Sequence, residues 1–250
     1  MRRAVCLLTL AFVPAAAAQP PHGVVTNVRS GAALYAANCV SCHGVNGVGV
    51  PPPGLPGAGG VVGMGPPLRG IGAGTVDFYL RTGYMPLSRP DVQPDRGRVL
   101  FDEHQLEALV RYVASFGRGP PIPTPQPERG DLAQGLHQFT EHCAGCHQVV
   151  ARGGVVTGAR VPPLTRATPV EIAEAVRAGP YVMPSFGKDV ISDAQLNSII
   201  RYVEYTQHPS QTGGWGIGFL GPVPEGMVAW LIASVALVAV CVVIGKRANA

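Results

Sequence analysis

The chain has 250 residues and a formal net charge of +4 at pH 7, with 33 Gly and 25 Pro but only 14% charged residues. So much Gly and Pro argues for loops wrapped around a centre, not for long regular elements. The weak positive balance, with no Lys/Arg stripe and no aromatic platform, excludes nucleic acid as a partner.

In chain order, Met1-Arg2-Arg3, an apolar run and the small residues Ala15 to Ala18 predict a secretory signal peptide over residues 1–18, cleaved before Gln19. An uncleaved N-terminal anchor is the alternative. Residues 19–29 read as a disordered lead-in. Ser30 is placed to cap a helix over 31–42, which runs into Cys39-Val40-Ser41-Cys42-His43. Residues 44–68 are almost all Gly, Pro and Val and predict an irregular loop. Thr75 caps a short helix over 76–81, which Gly83-Tyr84-Met85-Pro86 ends. Asp102 and Gln105 form a variant capping box, with Phe101 and Leu106 as its hydrophobic staple. Leu106, Leu109, Val110 and Val113 then follow at helical spacing.

Residues 118–129 hold a Pro-rich linker, read as a stiff extended spacer that marks a domain boundary. The pattern then repeats. A helix over 135–146 runs into Cys143-Ala144-Gly145-Cys146-His147. Val161-Pro162-Pro163-Leu164 echoes Gly65-Pro66-Pro67-Leu68, and Tyr181-Val182-Met183-Pro184 echoes Tyr84-Met85-Pro86. Thr168 with Glu171, and Ser192 with Gln195, are further capping boxes, and Arg201-Tyr202-Val203 matches Arg111-Tyr112-Val113. A repeat of this length predicts two copies of one domain, over 30–117 and 130–208. Residues 209–226 form a Gly/aromatic juxtamembrane segment. Residues 227–245 carry no charge and are long enough for one transmembrane helix. Lys246-Arg247 opens a short tail, 246–250, which the positive-inside rule keeps in the cytoplasm, so the two repeats face the extracytoplasmic side of the cell membrane.

Each Cys-x-x-Cys-His run is an attachment site for c-type haem. On one helical turn both sulfurs can bond vinyl groups of the same porphyrin, and the His that follows sits under the iron. Two disulfides or a Cys/His zinc site are the alternatives, and they leave the downstream Met-Pro pairs unexplained. The reading is of two covalently bound haem c groups, the first on Cys39 and Cys42, the second on Cys143 and Cys146. His43 and Met85 are the axial pair of the first iron, and His147 and Met183 of the second. Met64 competes with Met85 but has no counterpart in the second repeat. The remaining two of six cysteines, Cys6 and Cys241, lie in apolar end segments. Two filled Met positions argue for electron transfer over oxygen or peroxide chemistry.

The motifs with their Met-Pro partners resemble class I cytochrome c domains, so the expected fold is mainly α: two tandem domains and one C-terminal transmembrane helix. The whole order of segments resembles the dihaem cytochrome cc subunit of the actinobacterial quinol–cytochrome c reductase, the cytochrome bc complex. That resemblance implies an electron-transfer subunit with no independent catalytic site. Cytochrome b and Rieske iron–sulfur subunits would be its partners, and an aa-type oxidase would receive the electrons. A dihaem acceptor for a periplasmic dehydrogenase, or a free anchored carrier, is the rival reading.

Overall fold

The computed structural model describes residues 22–51, 65–88, 93–209 and 222–248. The expected signal peptide, Met64 and most of the segment ahead of the terminal helix lie outside them. The chain divides into two compact units after Gln207.

The first unit holds both repeats and is mainly helical. The first repeat comprises α1 (His22–Asn38), α2 (Val40–His43), α3 (Gly72–Arg81) and α4 (Glu103–Ala114). The second comprises α5 (Leu132–His142), α6 (Ala144–His147), α7 (Pro169–Ala178) and α8 (Asp193–Gln207). A small antiparallel hairpin, β1 (Gly154–Val156) and β2 (Ala159–Val161), joins α6 to α7, with Val155 opposite Arg160.

In both repeats the first helix crosses the last at a glycine. A Cβ on Gly31 would lie 2.8 Å from the Cβ of Tyr112 and would strike the Ala108 carbonyl. On Gly135 it would lie 2.9 Å from the Cβ of Tyr202 and would strike the Ser198 carbonyl. Helix backbones therefore touch directly, and no larger residue fits. Tyr35 and Phe139, one turn further on, fill equivalent places in the two cores and are almost wholly buried. Leu106, Leu109, Val110 and Val113 surround the first, and Leu196, Ile199, Ile200 and Val203 the second.

Caps fix the helix starts. Asp102 and Gln105 make the full capping box, as do Thr168 and Glu171. Ser192 and Gln195 exchange the same two bonds, at 2.9 and 3.3 Å. Each is worth about 1 kcal/mol of helix stability. Three starts differ from expectation. Helix α5 begins at Leu132 and not at 135, because the Asp131 carboxylate accepts from the Gln134 N–H at 2.7 Å and caps it there. Helix α1 begins at His22, so residues from 22 onward are helical rather than a disordered lead-in, and Ser30 lies inside the helix. No proline interrupts the chain there to force a later start. Helix α3 begins at Gly72, ahead of Thr75, because the Pro120 carbonyl accepts from the Gly74 N–H at 3.2 Å and does the capping. The Pro-rich segment thus lies against the first repeat. It is also tied to the second, since Gln126 N–H donates to Asn197 Oδ1 at 2.8 Å.

The two repeats share an interface, with α3 packed on α7. Asp77 of α3 and Glu174 of α7 are buried within it, 3% and 1% exposed. Arg81 Nε donates to both Asp77 oxygens at 2.9 Å, and its terminal nitrogens donate to Glu103 at 2.8 and 2.6 Å. No donor among the described residues reaches either oxygen of Glu174. Burial first, and then the Asp77 carboxylate, push the Glu174 carboxyl well above its ordinary value, with Glu171 adding to the rise and Arg81 opposing it. A proton held on Glu174 supplies the missing donor. Around this pair Arg96 bonds Glu171 at 2.8 Å, Arg160 pairs with Asp95, and the Gln93 amide bonds both the N–H and the carbonyl of Arg160, at 2.8 and 2.5 Å.

The second unit contains α9 (Pro222–Ala248). Val223–Ala248 contains an 18-residue window with a mean hydropathy of 2.9, long and apolar enough to cross a bilayer. Lys246 and Arg247 lie in its last turn.

Two outcomes follow from this packing. Gly135→Ala forces α5 and α8 apart and destabilises the chain by about 1–3 kcal/mol; an unchanged thermal midpoint would show that the crossing is not tight. Because the folded state holds a proton on Glu174, its contribution is complete below the ordinary value of 4.5 and is lost as pH rises through the raised folded value. Glu174→Gln, whose amide can donate to Asp77, flattens this alkaline decline in melting temperature. The same slope in both proteins would mean that Glu174 does not carry the proton.

Candidate haem sites

Both motifs are built by one local device. At Cys39 (φ −122, ψ −29) and at Cys143 (φ −123, ψ −37) the helix breaks, and a separate short turn, α2 or α6, carries the second Cys and the His. The expected continuous helices over 31–42 and 135–146 are each interrupted there. The chain then doubles back. Gly49 N–H donates to the His43 carbonyl at 2.7 Å, and Gly153 N–H to that of His147 at 3.0 Å. The Pro-Pro-Leu segments are drawn in next: Leu68 N–H bonds the Gly47 carbonyl, and Leu164 N–H bonds the Ala151 carbonyl, both at 2.9 Å.

That return places one prolyl carbonyl beside each motif histidine. His43 Nδ1 lies 2.9 Å from the Pro66 oxygen, and His147 Nδ1 lies 3.2 Å from the Pro162 oxygen. A carbonyl only accepts, so Nδ1 carries the proton and Nε2 keeps its lone pair for a metal. The sequence shows Pro66 and Pro162 as a repeated Pro-Pro-Leu, but it does not show that their carbonyls orient the imidazoles. Burial lowers the His147 pKa, against the opposing effect of the Pro162 carbonyl, and keeps the ring neutral, as a ligand must be.

The second site is a cavity of about 300 Å³. Cys143, Cys146, His147 and Met183 all line it, so every residue expected at the second haem meets there. Phe139, Ile172, Val176 and Phe186 supply apolar wall. His142, unmatched in the first repeat, lines it as well, with its ring 5.9 Å from that of Phe186. In the first repeat Cys39 and Met85 pack on one cluster around Tyr35, Leu109 and Val113. Met64, the competing ligand, lies outside the described residues.

None of the four motif cysteines is in a disulfide, and among the described residues no three His, Cys, Asp or Glu side chains converge on a metal-binding point. The zinc alternative therefore lacks a third ligand among the described residues. Burial, with the neighbouring thiol adding to it, pushes Cys39 up to about 11 and Cys143 up to about 12. These sulfurs stay uncharged in their apolar walls, as suits thioether attachment better than thiolate ligation. Paired sulfurs, a neutral imidazole with a free Nε2, and a thioether in the same cavity fit a covalently held haem.

Comparison with known proteins agrees. Residues 28–117 match the family described as Cytochrome c, and residues 130–203 match Cytochrome C oxidase, cbb3-type, subunit III. The chain is 36% identical over 229 residues to the cytochrome bc1 complex cytochrome c subunit of Mycobacterium tuberculosis, covering 88% of this chain and 78% of that protein. It is 35% identical over 230 residues to the same subunit of Mycobacterium leprae, covering 88% and 76%. For Corynebacterium diphtheriae the identity is 34% over 238 residues, covering 88% and 81%. With two cytochrome c domains, the tautomer-fixing carbonyl beside each motif His and one apolar terminal helix, the chain belongs to the family of cytochrome bc1 complex cytochrome c subunits.

Proposed function

We propose that the chain holds two covalent haems and passes electrons within a membrane-anchored quinol–cytochrome c reductase, from its Rieske protein to an aa-type terminal oxidase. The observation that carries the reading is the matched hydrogen bond from each motif imidazole to a prolyl carbonyl, at 2.9 and 3.2 Å. It leaves one Nε2 lone pair free in each repeat, and with it one place for an iron.

Cys39 and Cys42 would attach the first haem, with His43 and Met85 as axial ligands. Cys143 and Cys146 would attach the second, with His147 and Met183. When bound, each haem supplies one-electron exchange between ferrous and ferric iron. The residues do the rest. The Pro66 and Pro162 carbonyls hold the imidazoles in one tautomer and orientation and raise their basicity. The Met85 and Met183 thioethers would be further ligands to the irons, and a thioether would favour the reduced iron and raise the potential. The apolar wall around Met183 keeps water out. With both positions filled, no site for substrate is left at either iron, and the enzymatic activity belongs to the assembly with cytochrome b and the Rieske protein. Helix α9 would anchor the chain, and Lys246-Arg247 at its end support an extracytoplasmic side for the haem domains.

Met183→Leu leaves the second haem attached, lowers its potential and opens the ferrous iron to carbon monoxide. An unchanged redox titration without carbon monoxide binding would falsify the ligand assignment. Purified in mild detergent, the tagged chain brings b-type and a-type haem bands with its c-type band in the reduced-minus-oxidised spectrum. A c-type band alone under gentle conditions would favour the dehydrogenase partner or free carrier instead.

A further inference from the structure

The cavity of the second repeat is not built by that repeat alone. Phe78, Tyr84, Gln93 and Arg96, all from the first repeat, line it together with His147 and Met183. Tyr84 is also the residue directly before Met85. We propose that the first repeat completes the pocket of the second haem, with Tyr84 as a positioning residue shared by both iron sites. This rests on the two-haem reading above.

The Tyr84 ring is held from its own side. It meets Phe78 edge-on at 5.5 Å and Tyr79 at 6.2 Å. The Met85 N–H donates to the Tyr79 carbonyl at 3.1 Å, which ties the Tyr84–Met85 turn to the end of α3. Burial raises the pKa of the Tyr79 hydroxyl, and the backbone of Tyr181, two residues before Met183, opposes that rise.

The first repeat is also clamped to residues that line the cavity. The Gln93 amide bonds the backbone of Arg160 at 2.5 and 2.8 Å, and Arg96 bonds Glu171 at 2.8 Å. Arg160 and Glu171 both line the cavity. Tyr84 therefore sits in a wall pinned on two sides, where an isolated second domain would meet solvent.

The physical effect of that wall is exclusion of water. Ferric haem carries one more positive charge than ferrous, and water stabilises the more charged form. A dry aromatic wall therefore raises the potential, and opening it lowers the potential. Because Tyr84 is bonded to Met85, the turn that sets the sixth ligand of the first iron also sets the polarity around the second.

The test uses the full chain in detergent, with covalent haem content measured first and optical redox titrations following. Met183→Leu and Met85→Leu mark which transition belongs to which haem. Tyr84→Ala is expected to lower the transition marked by Met183, changing the oxidised-to-reduced ratio at fixed potential about tenfold, or about 59 mV for one electron. Tyr84→Phe keeps the ring and leaves that transition in place. Gln93→Ala opens the clamp without removing the ring and gives a smaller shift in the same direction, which keeps the test alive if Tyr84→Ala fails to fold. An unmoved second transition in Tyr84→Ala, or in Gln93→Ala where that variant stands in for it, overturns the proposal, as does an equal shift in Tyr84→Phe or a shift confined to the first transition. One covalent haem per chain overturns the two-haem reading and this proposal together; two haems with an unmoved transition overturn this proposal alone.

Discussion

The contact on which each repeat depends is the crossing of its first and last helices at a single glycine. At Gly31 and Gly135 backbone meets backbone, so the crossing angle is set by the main chains and not by adjustable side chains. One turn further along, Tyr35 and Phe139 occupy the space that the close approach leaves beside the crossing. One more turn brings the chain to Cys39 and Cys143, where the helix breaks. The chemistry-bearing residues are therefore at a fixed distance along a helix whose position is fixed by contact. A site that must hold two sulfurs, an imidazole and a distant thioether around one centre needs such a reference point, because the loops supplying the other partners are rich in Gly and Pro.

From that point the imidazole is aimed by backbone, not by side chains. The returning Pro-Pro-Leu segment is docked by its Leu N–H, and the docking delivers a carbonyl to Nδ1. A prolyl carbonyl suits this task. The chain around it is stiff, and a carbonyl has no proton of its own to confuse the tautomer. The surrounding sequence can vary widely so long as the return path is kept. The first repeat has a bridge between Val50 and Gly65 where the second has a hairpin, yet both arrive at the same contact.

Much of this was legible in the residues, and the part that was not has a common cause. The capping boxes at Asp102, Thr168 and Ser192 are local, with all their partners within three residues, and they form as the pattern predicts. The start of α3 is not legible because its cap is the Pro120 carbonyl, far along the chain. The hairpin turns at Thr157-Gly158, and its strands of three residues are too short to show a period of two. The Cys, His and Met residues of the second site are legible from spacing, and they line one cavity. The contributions of Tyr84, Gln93 and Arg96 to that cavity are not legible, since nothing in either repeat indicates that the other is its wall. Glu174 was invisible for the same reason: on a helix with polar neighbours it reads as a solvated charge, and only the packing of α3 on α7 buries it.

The surface between the repeats is also where their likeness stops. With Arg81-Thr82-Gly83 aligned on Arg177-Ala178-Gly179, Asp77 corresponds to Ala173 and Phe78 to Glu174. Acid and apolar residue have exchanged places between two helices that otherwise match. A carboxyl buried without a donor costs several kcal/mol if it is charged and less when it takes up a proton beside Asp77, but it is not the cheapest way to pack two helices. What such a pair adds is discrimination. Two domains of one design must meet each other and not a second copy of themselves, and matched apolar faces would not tell the two apart. An acid stands on each face at non-equivalent positions, and Asp77, held by Arg81, meets the protonated Glu174 where α3 of the one packs on α7 of the other. The same docking brings Tyr84 to the second cavity, so the asymmetry of the interface and the sharing of the pocket are one structural fact.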